Sequence, residues 1–207
     1  EGAYYWAAPY LSPFYSPLID PQHHVWPFSP ALLILAGPLG FRMTCYYYRK
    51  AYYRAFFLDP PACAVGEPAA RKYRGETRFP FILQNLHRYF MYLAVLFICF
   101  LWYDAVQACW LNGHFFLGVG SLVLLVNVIL LTLYLSSCHS LRHIIGGKVD
   151  CFSCTAFNQT RHGAWKKASW LNERHMLFAW LSLFSVGFAD FYVRMVATGL
   201  IKDLRLL

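Results

Sequence analysis

Acidic side chains are scarce in this 207-residue chain: 10 Asp and Glu stand against 18 Lys and Arg, and charged residues of every kind make up only 14%. That scarcity excludes an ordinary soluble domain, in which about a quarter of the residues are charged. A basic n-region followed by a short apolar h-region is also missing, and the chain opens on Glu1 without a Met, so some native sequence is expected before it. No internal repeat or low-complexity tract is evident. The chain is instead 58% hydrophobic and 19% aromatic. Such proportions predict an all-α fold, a polytopic transmembrane bundle forming one domain over residues 1–207.

The formal charge of +8 raises the question of nucleic acid, and its distribution answers it. All basic residues except Arg194, Lys202 and Arg205 fall in two blocks, Arg42 to Arg88 and Arg142 to Arg174, each lying between apolar runs. Charges that flank spans obey the positive-inside rule, so the basic side is expected to be cytoplasmic and the partner a lipid bilayer, the cell membrane, rather than a nucleic acid. Thiols on that side stay reduced, which favours metal ligation or inert burial over disulfides. Cys99 and Cys109 lie toward the other side and read as packing residues.

About four spans are expected. Residues 1–29, rich in Pro, Tyr and Trp, predict an irregular segment lying at the outer interface. The spans follow at about 30–57, 82–103, 115–144 and 170–198, the first running as a basic, tyrosine-lined helix up to Asp59-Pro60-Pro61. Pro38, Gly40, Arg42 and Cys45 make that first span a poor lipid-facing helix, and a charge at the depth of Arg42 must face protein or water. Asp190 raises the same issue in the last span, where pairing with Arg42, proton transfer or a structural hydrogen bond are the alternatives.

The residues able to do chemistry gather at the basic side. His139 and His143 are four apart, so one helix face presents both imidazoles, and Cys151 and Cys154 add a C-x-x-C pair soon after. Two thiolates with two imidazoles form the donor set of a Rieske-type [2Fe-2S] centre, and zinc accepts the same ligands. Cys45, His87 and His175 stand at the ends of other spans at about the same depth, so a site assembled from several helices is an equal alternative. The run Tyr46, Tyr47, Tyr48, Tyr52 and Tyr53 reads as an interfacial belt, or as hydrogen-bond donors for a quinone together with Trp165 and Trp170.

The phrases Gly40-Phe41-Arg42-Met43-Thr44-Cys45-Tyr46-Tyr47-Tyr48-Arg49-Lys50, Pro60-Pro61-Ala62-Cys63, Leu86-His87-Arg88-Tyr89-Phe90 and Cys138-His139-Ser140-Leu141-Arg142-His143 resemble the membrane-anchor subunit of haem-free, actinobacterial-type succinate dehydrogenases. The resemblance runs from about residue 3 to 198. It implies a subunit of respiratory complex II that docks a flavoprotein subunit and an iron-sulfur subunit. Succinate oxidation belongs to a partner, and this chain carries electrons through a membrane-embedded Rieske-type cluster to a quinone, menaquinone being expected. Cys45, Cys63, Cys138, His87, His139 and His143 are the positions that match the family's phrases. Cys151, Cys154 and His175 remain alternative ligands, and Tyr48, Arg88, Tyr89 and Trp165 are the expected quinone contacts. In other complex II anchors a haem-ligating His stands seven residues before the Arg-His step; here that position is Ser136, which argues against haem. The rivals are a haem-bearing anchor and a non-redox transporter or scaffold with structural zinc.

Overall fold

The computed structural model describes residues 4–19, 28–48, 77, 79, 81–111, 113–147 and 149–206. Cys63 lies outside them, as do residues 49–76. Among the described residues three helices are long and apolar enough to cross a bilayer: Ile82–Gln107, Val119–Ser136 and His175–Ala197. The first is a one-turn-tight segment, Phe81–Leu86, that opens into α2, His87–Gln107. We label Val119–Ser136 α3 and His175–Ala197 α6.

α1 is Pro30–Thr44, residues 46–48 are helical again after Cys45, and residues 49–57 of the expected first span lie outside the described ones. It begins at a Ser29 cap with Pro30 at the first helical position, where a missing N–H costs nothing. It ends because Cys45 takes an extended backbone, φ −64° and ψ 134°. The third span breaks in the same way. α3 stops at Ser136, Cys138 is extended at φ −67° and ψ 137°, and a separate short helix, α4, runs His139–Gly146. The fourth also divides, into α5, Ala156–Asn172, and α6, with the break at Glu173 and Arg174. α4 and α5 pack together at the basic end, where Trp165 lies against Gly146 and Arg161 Nε donates to the Ile145 carbonyl at 2.9 Å.

Small residues let α1 approach α2. A Cβ on Gly40 would lie 2.4 Å from the Phe90 ring, and one on Gly37 2.9 Å from Phe97. Gly40→Val is therefore expected to destabilise the bundle by about 1–3 kcal/mol through overpacking. The measurement is the denaturation midpoint in detergent, with Gly187→Ala, whose added Cβ meets nothing within 4 Å, as the neutral control.

The opposite end is closed by both termini. A small hairpin pairs β1, Trp6–Ala7, with β2, Tyr10–Leu11, and packs on α6. Ser12 Oγ donates to Asp190, and Arg194, one turn along the same helix, donates to the other carboxylate oxygen at 2.9 Å. Asp190 is thus a structural tie with Arg194, not a partner of Arg42. Asp203 performs a parallel task in the C-terminal segment: it accepts from Tyr10, from Tyr192 at 2.6 Å and from the Gly120 N–H at 2.9 Å, which places a carboxylate at the positive end of α3. Burial, with Asp203 alongside, pushes the Tyr10 phenol up, so it remains a neutral donor. Cys109 is buried and its thiol is pushed up by that burial, as a packing residue should be.

Candidate metal centre

Helix ends, rather than helix faces, carry the chemistry. The C-terminal ends of α1 and α3 deliver Cys45 and Cys138; the N-terminal ends of α2 and α6 deliver His87 and His175. The two sulfurs are buried, Cys45 at 3% exposure and Cys138 at 1%. Cys138 Sγ lies 3.1 Å from His87 Nε2, and Cys45 Sγ lies 3.2 Å from His175 Nε2. The pairs adjoin: the Phe41 ring stacks on His87 at 4.7 Å, the Tyr134 ring stacks on His175 at 5.1 Å, and those two aromatic rings meet edge to face at 5.5 Å. Among the described residues no three such donors stand as the shell of a single metal ion. They come as two thiol–imidazole pairs.

Behind each imidazole stands a hydroxyl. Thr44 Oγ1 is 2.9 Å from His87 Nδ1, and Ser137 Oγ is 2.7 Å from His175 Nδ1. Both hydroxyls also reach a backbone carbonyl, Gly40 O at 2.6 Å and Tyr134 O at 2.8 Å.

Arg42 occupies the membrane side of this cluster. It donates to Tyr48 Oη at 2.9 Å, Ala179 O at 3.1 Å and Ser182 Oγ at 2.8 Å, with its guanidinium carbon 4.5 Å from the Tyr134 ring centre. All three acceptors are neutral, and among the described residues no carboxylate pairs with it. A cation held there by neutral partners suits a site that holds anionic thiolates. Beyond Arg42, between α1, α2, α3 and α6, lies an apolar cavity of about 250 Å³. Phe41, Arg42 and Tyr134 line it at the cluster end; Ala94 and Leu131 form part of its wall, and Ser16 of the N-terminal turn also faces it.

The other expected residues are placed elsewhere. His139 and His143 share α4 and are both exposed, with His143 Nδ1 2.9 Å from Arg88 instead of a sulfur. Cys151 and Cys154 form a disulfide, contrary to the expectation of two reduced thiols, so they offer no thiolate pair to His139 and His143. Tyr48 is buried at 1% exposure beside Arg42, whereas Tyr89 is 67% exposed and Trp165 packs on Gly146 under Arg142. His175, one of three alternative ligands in the sequence, joins Cys45, Cys138 and His87. Thr44 and Ser137 carried no signal, although each immediately precedes a cysteine.

Fold and site together define a multi-pass helical membrane subunit with a buried set of two thiols and two imidazoles at one end. Residues 1–199 match the family described as actinobacterial succinate dehydrogenase subunit SdhC, and the chain belongs to that family. It is similar to a chain in a solved structure, the "Mycobacterium smegmatis Sdh1 complex in the apo form": identity is 47%, with 100% of this chain and 82% of that chain covered, at a TM-score of 0.84. A comparison with curated proteins gives no match. The protein is a membrane subunit of succinate dehydrogenase.

Proposed function

We propose that this subunit anchors a succinate dehydrogenase in the cell membrane, its basic end toward the cytoplasm. There it docks the flavoprotein and iron-sulfur subunits and passes their electrons through a Rieske-type [2Fe-2S] cluster to a membrane quinone, menaquinone being expected. One observation carries the reading: Cys45, Cys138, His87 and His175, from four different helix ends, converge in a buried site with both Nε2 atoms facing sulfur. Two thiolates and two neutral imidazoles are the donors such a cluster takes, both thiolates on one iron and both imidazoles on the other. Once bound, the group would supply one-electron chemistry at a potential on the order of −150 to +300 mV, above all-thiolate clusters because imidazoles leave less negative charge on iron.

The chain's own residues do the rest. Phe41 and Tyr134 cover the imidazole faces and exclude water from them. Arg42 holds a positive charge against the thiolates and is fixed by Tyr48, Ala179 and Ser182. The apolar cavity gives a quinone head group a dry seat against Phe41, Arg42 and Tyr134, one ring removed from both imidazoles. At about 250 Å³ it is slightly smaller than usual small-ligand sites of about 300–1,000 Å³, so it suits the head group and leaves the tail to the lipid.

The test is metal analysis of the complex purified from native membranes, wild type against Cys138→Ser. A cluster here predicts a loss of two irons and two acid-labile sulfides in the variant. Loss of zinc alone would mean a structural ion, which takes the same ligands. A Soret band lost with the substitution would mean haem.

A further inference from the structure

We infer that this site is an internal duplication: two copies of one half-site, [Phe/Tyr]-x-x-[Thr/Ser]-Cys ending one helix and His opening its partner, related by a two-fold axis. In this arrangement Thr44 and Ser137 are positioning residues. The inference rests on the reading above only for the group that the site holds.

The two halves are Phe41-Arg42-Met43-Thr44-Cys45 at the end of α1 with His87 opening α2, and Tyr134-Leu135-Ser136-Ser137-Cys138 at the end of α3 with His175 opening α6. Four features around the donors recur in both halves. The aromatic four positions before the cysteine stacks on its own half's imidazole, with interplanar angles of 8° for Phe41–His87 and 19° for Tyr134–His175. The hydroxyl just before the cysteine meets that same imidazole at Nδ1, at 2.9 Å and 2.7 Å. The cysteine backbones have nearly the same angles, φ −64°, ψ 134° and φ −67°, ψ 137°. Each thiol then crosses to the imidazole of the other half, at 3.2 Å and 3.1 Å. Exchanging the halves therefore exchanges Cys45 with Cys138 and His87 with His175, and leaves the contact pattern unchanged. Two down-and-up helix pairs, α1 with α2 and α3 with α6, make this a parallel repeat about an axis along the membrane normal.

The hydroxyls decide which ring nitrogen is bare. A hydroxyl has one hydrogen. Thr44 gives its hydrogen to Gly40 O and Ser137 gives its own to Tyr134 O, because a carbonyl can only accept. The remaining bond to each imidazole must then use a ring hydrogen, so Nδ1 carries the proton and Nε2 presents its lone pair to the sulfur side. A ligating histidine held this way has its tautomer and ring plane set before any metal arrives.

The tautomers can be read by ¹⁵N NMR of the histidine-labelled complex in lipid, with His87→Gln and His175→Gln used for assignment, and the readout needs no metal. Wild type should show protonated Nδ1 and bare Nε2 at both residues. Thr44→Val should disturb His87 alone, and Ser137→Ala should disturb His175 alone. Thr44→Ser and Ser137→Thr should restore the wild-type pattern. In the loaded complex, either loss should weaken retention of iron against a chelator by about 10–100-fold, to a similar degree in the two variants. Unchanged tautomers in both variants would overturn the positioning role, and a change at only one histidine would overturn the duplication. A complex without iron or sulfide at this site would sink the functional reading and leave the NMR result standing on its own.

Discussion

Alanine at His87 or His175 is expected to lower quinone reduction by about 100-fold or more, because loss of a partner behind a metal ligand already costs about 10–100-fold in affinity and loss of the ligand itself costs more. Succinate oxidation measured with a soluble dye should continue, since the flavin site belongs to another subunit. The sharper half of this prediction concerns two other histidines. His139→Ala and His143→Ala should leave quinone reduction within a few-fold of wild type, because both side chains are exposed and His143 contacts Arg88 rather than a sulfur. The assay is steady-state reduction of a short-tailed quinone alongside the dye assay, on complexes shown by gel to be intact. Wild-type rates in the His175 variant, with loss in the His139 variant, would return the ligand set to the local cluster around α4.

These alternatives show what the sequence could reveal. The positions of Arg and Lys marked one end of the bundle, and donors at the ends of several spans pointed to a shared depth; both follow from physics that acts along the chain. Choosing among the donors depended on where helices break. An i, i+4 pair such as His139 and His143 is a persuasive signal only if the helix carrying it continues from the span, and the extended backbone at Cys138 ends the span one residue earlier. His175 stands at the start of the last span in the sequence too, but outside the phrases that carry the family resemblance; the break at Glu173 and Arg174 starts a fresh helix with this imidazole at its tip. The repeat is faint in the sequence for a related reason: in five residues its copies share only the cysteine, with Phe for Tyr and Thr for Ser preserving roles rather than identities. The copies also differ in charge. Arg42 in the first has Leu135 as its counterpart in the second, so a site with two-fold contacts carries a positive charge in one half only.

That asymmetry also bears on where the quinone binds, and Ala94→Leu tests it. Ala94 is 6% exposed on α2 and lines the apolar cavity, so three added carbons occupy space that a head group would need. If the quinone sits against Phe41, Arg42 and Tyr134, the variant should raise the KM for quinone and lower kcat by about 10-fold or more, on the scale of a 1–3 kcal/mol packing penalty. Iron and sulfide content should be unchanged, because the cavity that Ala94 lines includes none of the four donors in its wall. The alternative seat lies at the basic face, where the sequence placed Arg88, Tyr89 and Trp165 beside Tyr48. Tyr89→Phe and Trp165→Leu tell the two apart: Tyr89 is 67% exposed and Trp165 packs on α4, so neither change alters the cavity. Loss of quinone reduction in those two variants, with Ala94→Leu fully active, would move the quinone to the basic face and leave the cavity as a packing defect. The opposite pattern would put the quinone within the bilayer, separated from the imidazoles only by the Phe41 and Tyr134 rings.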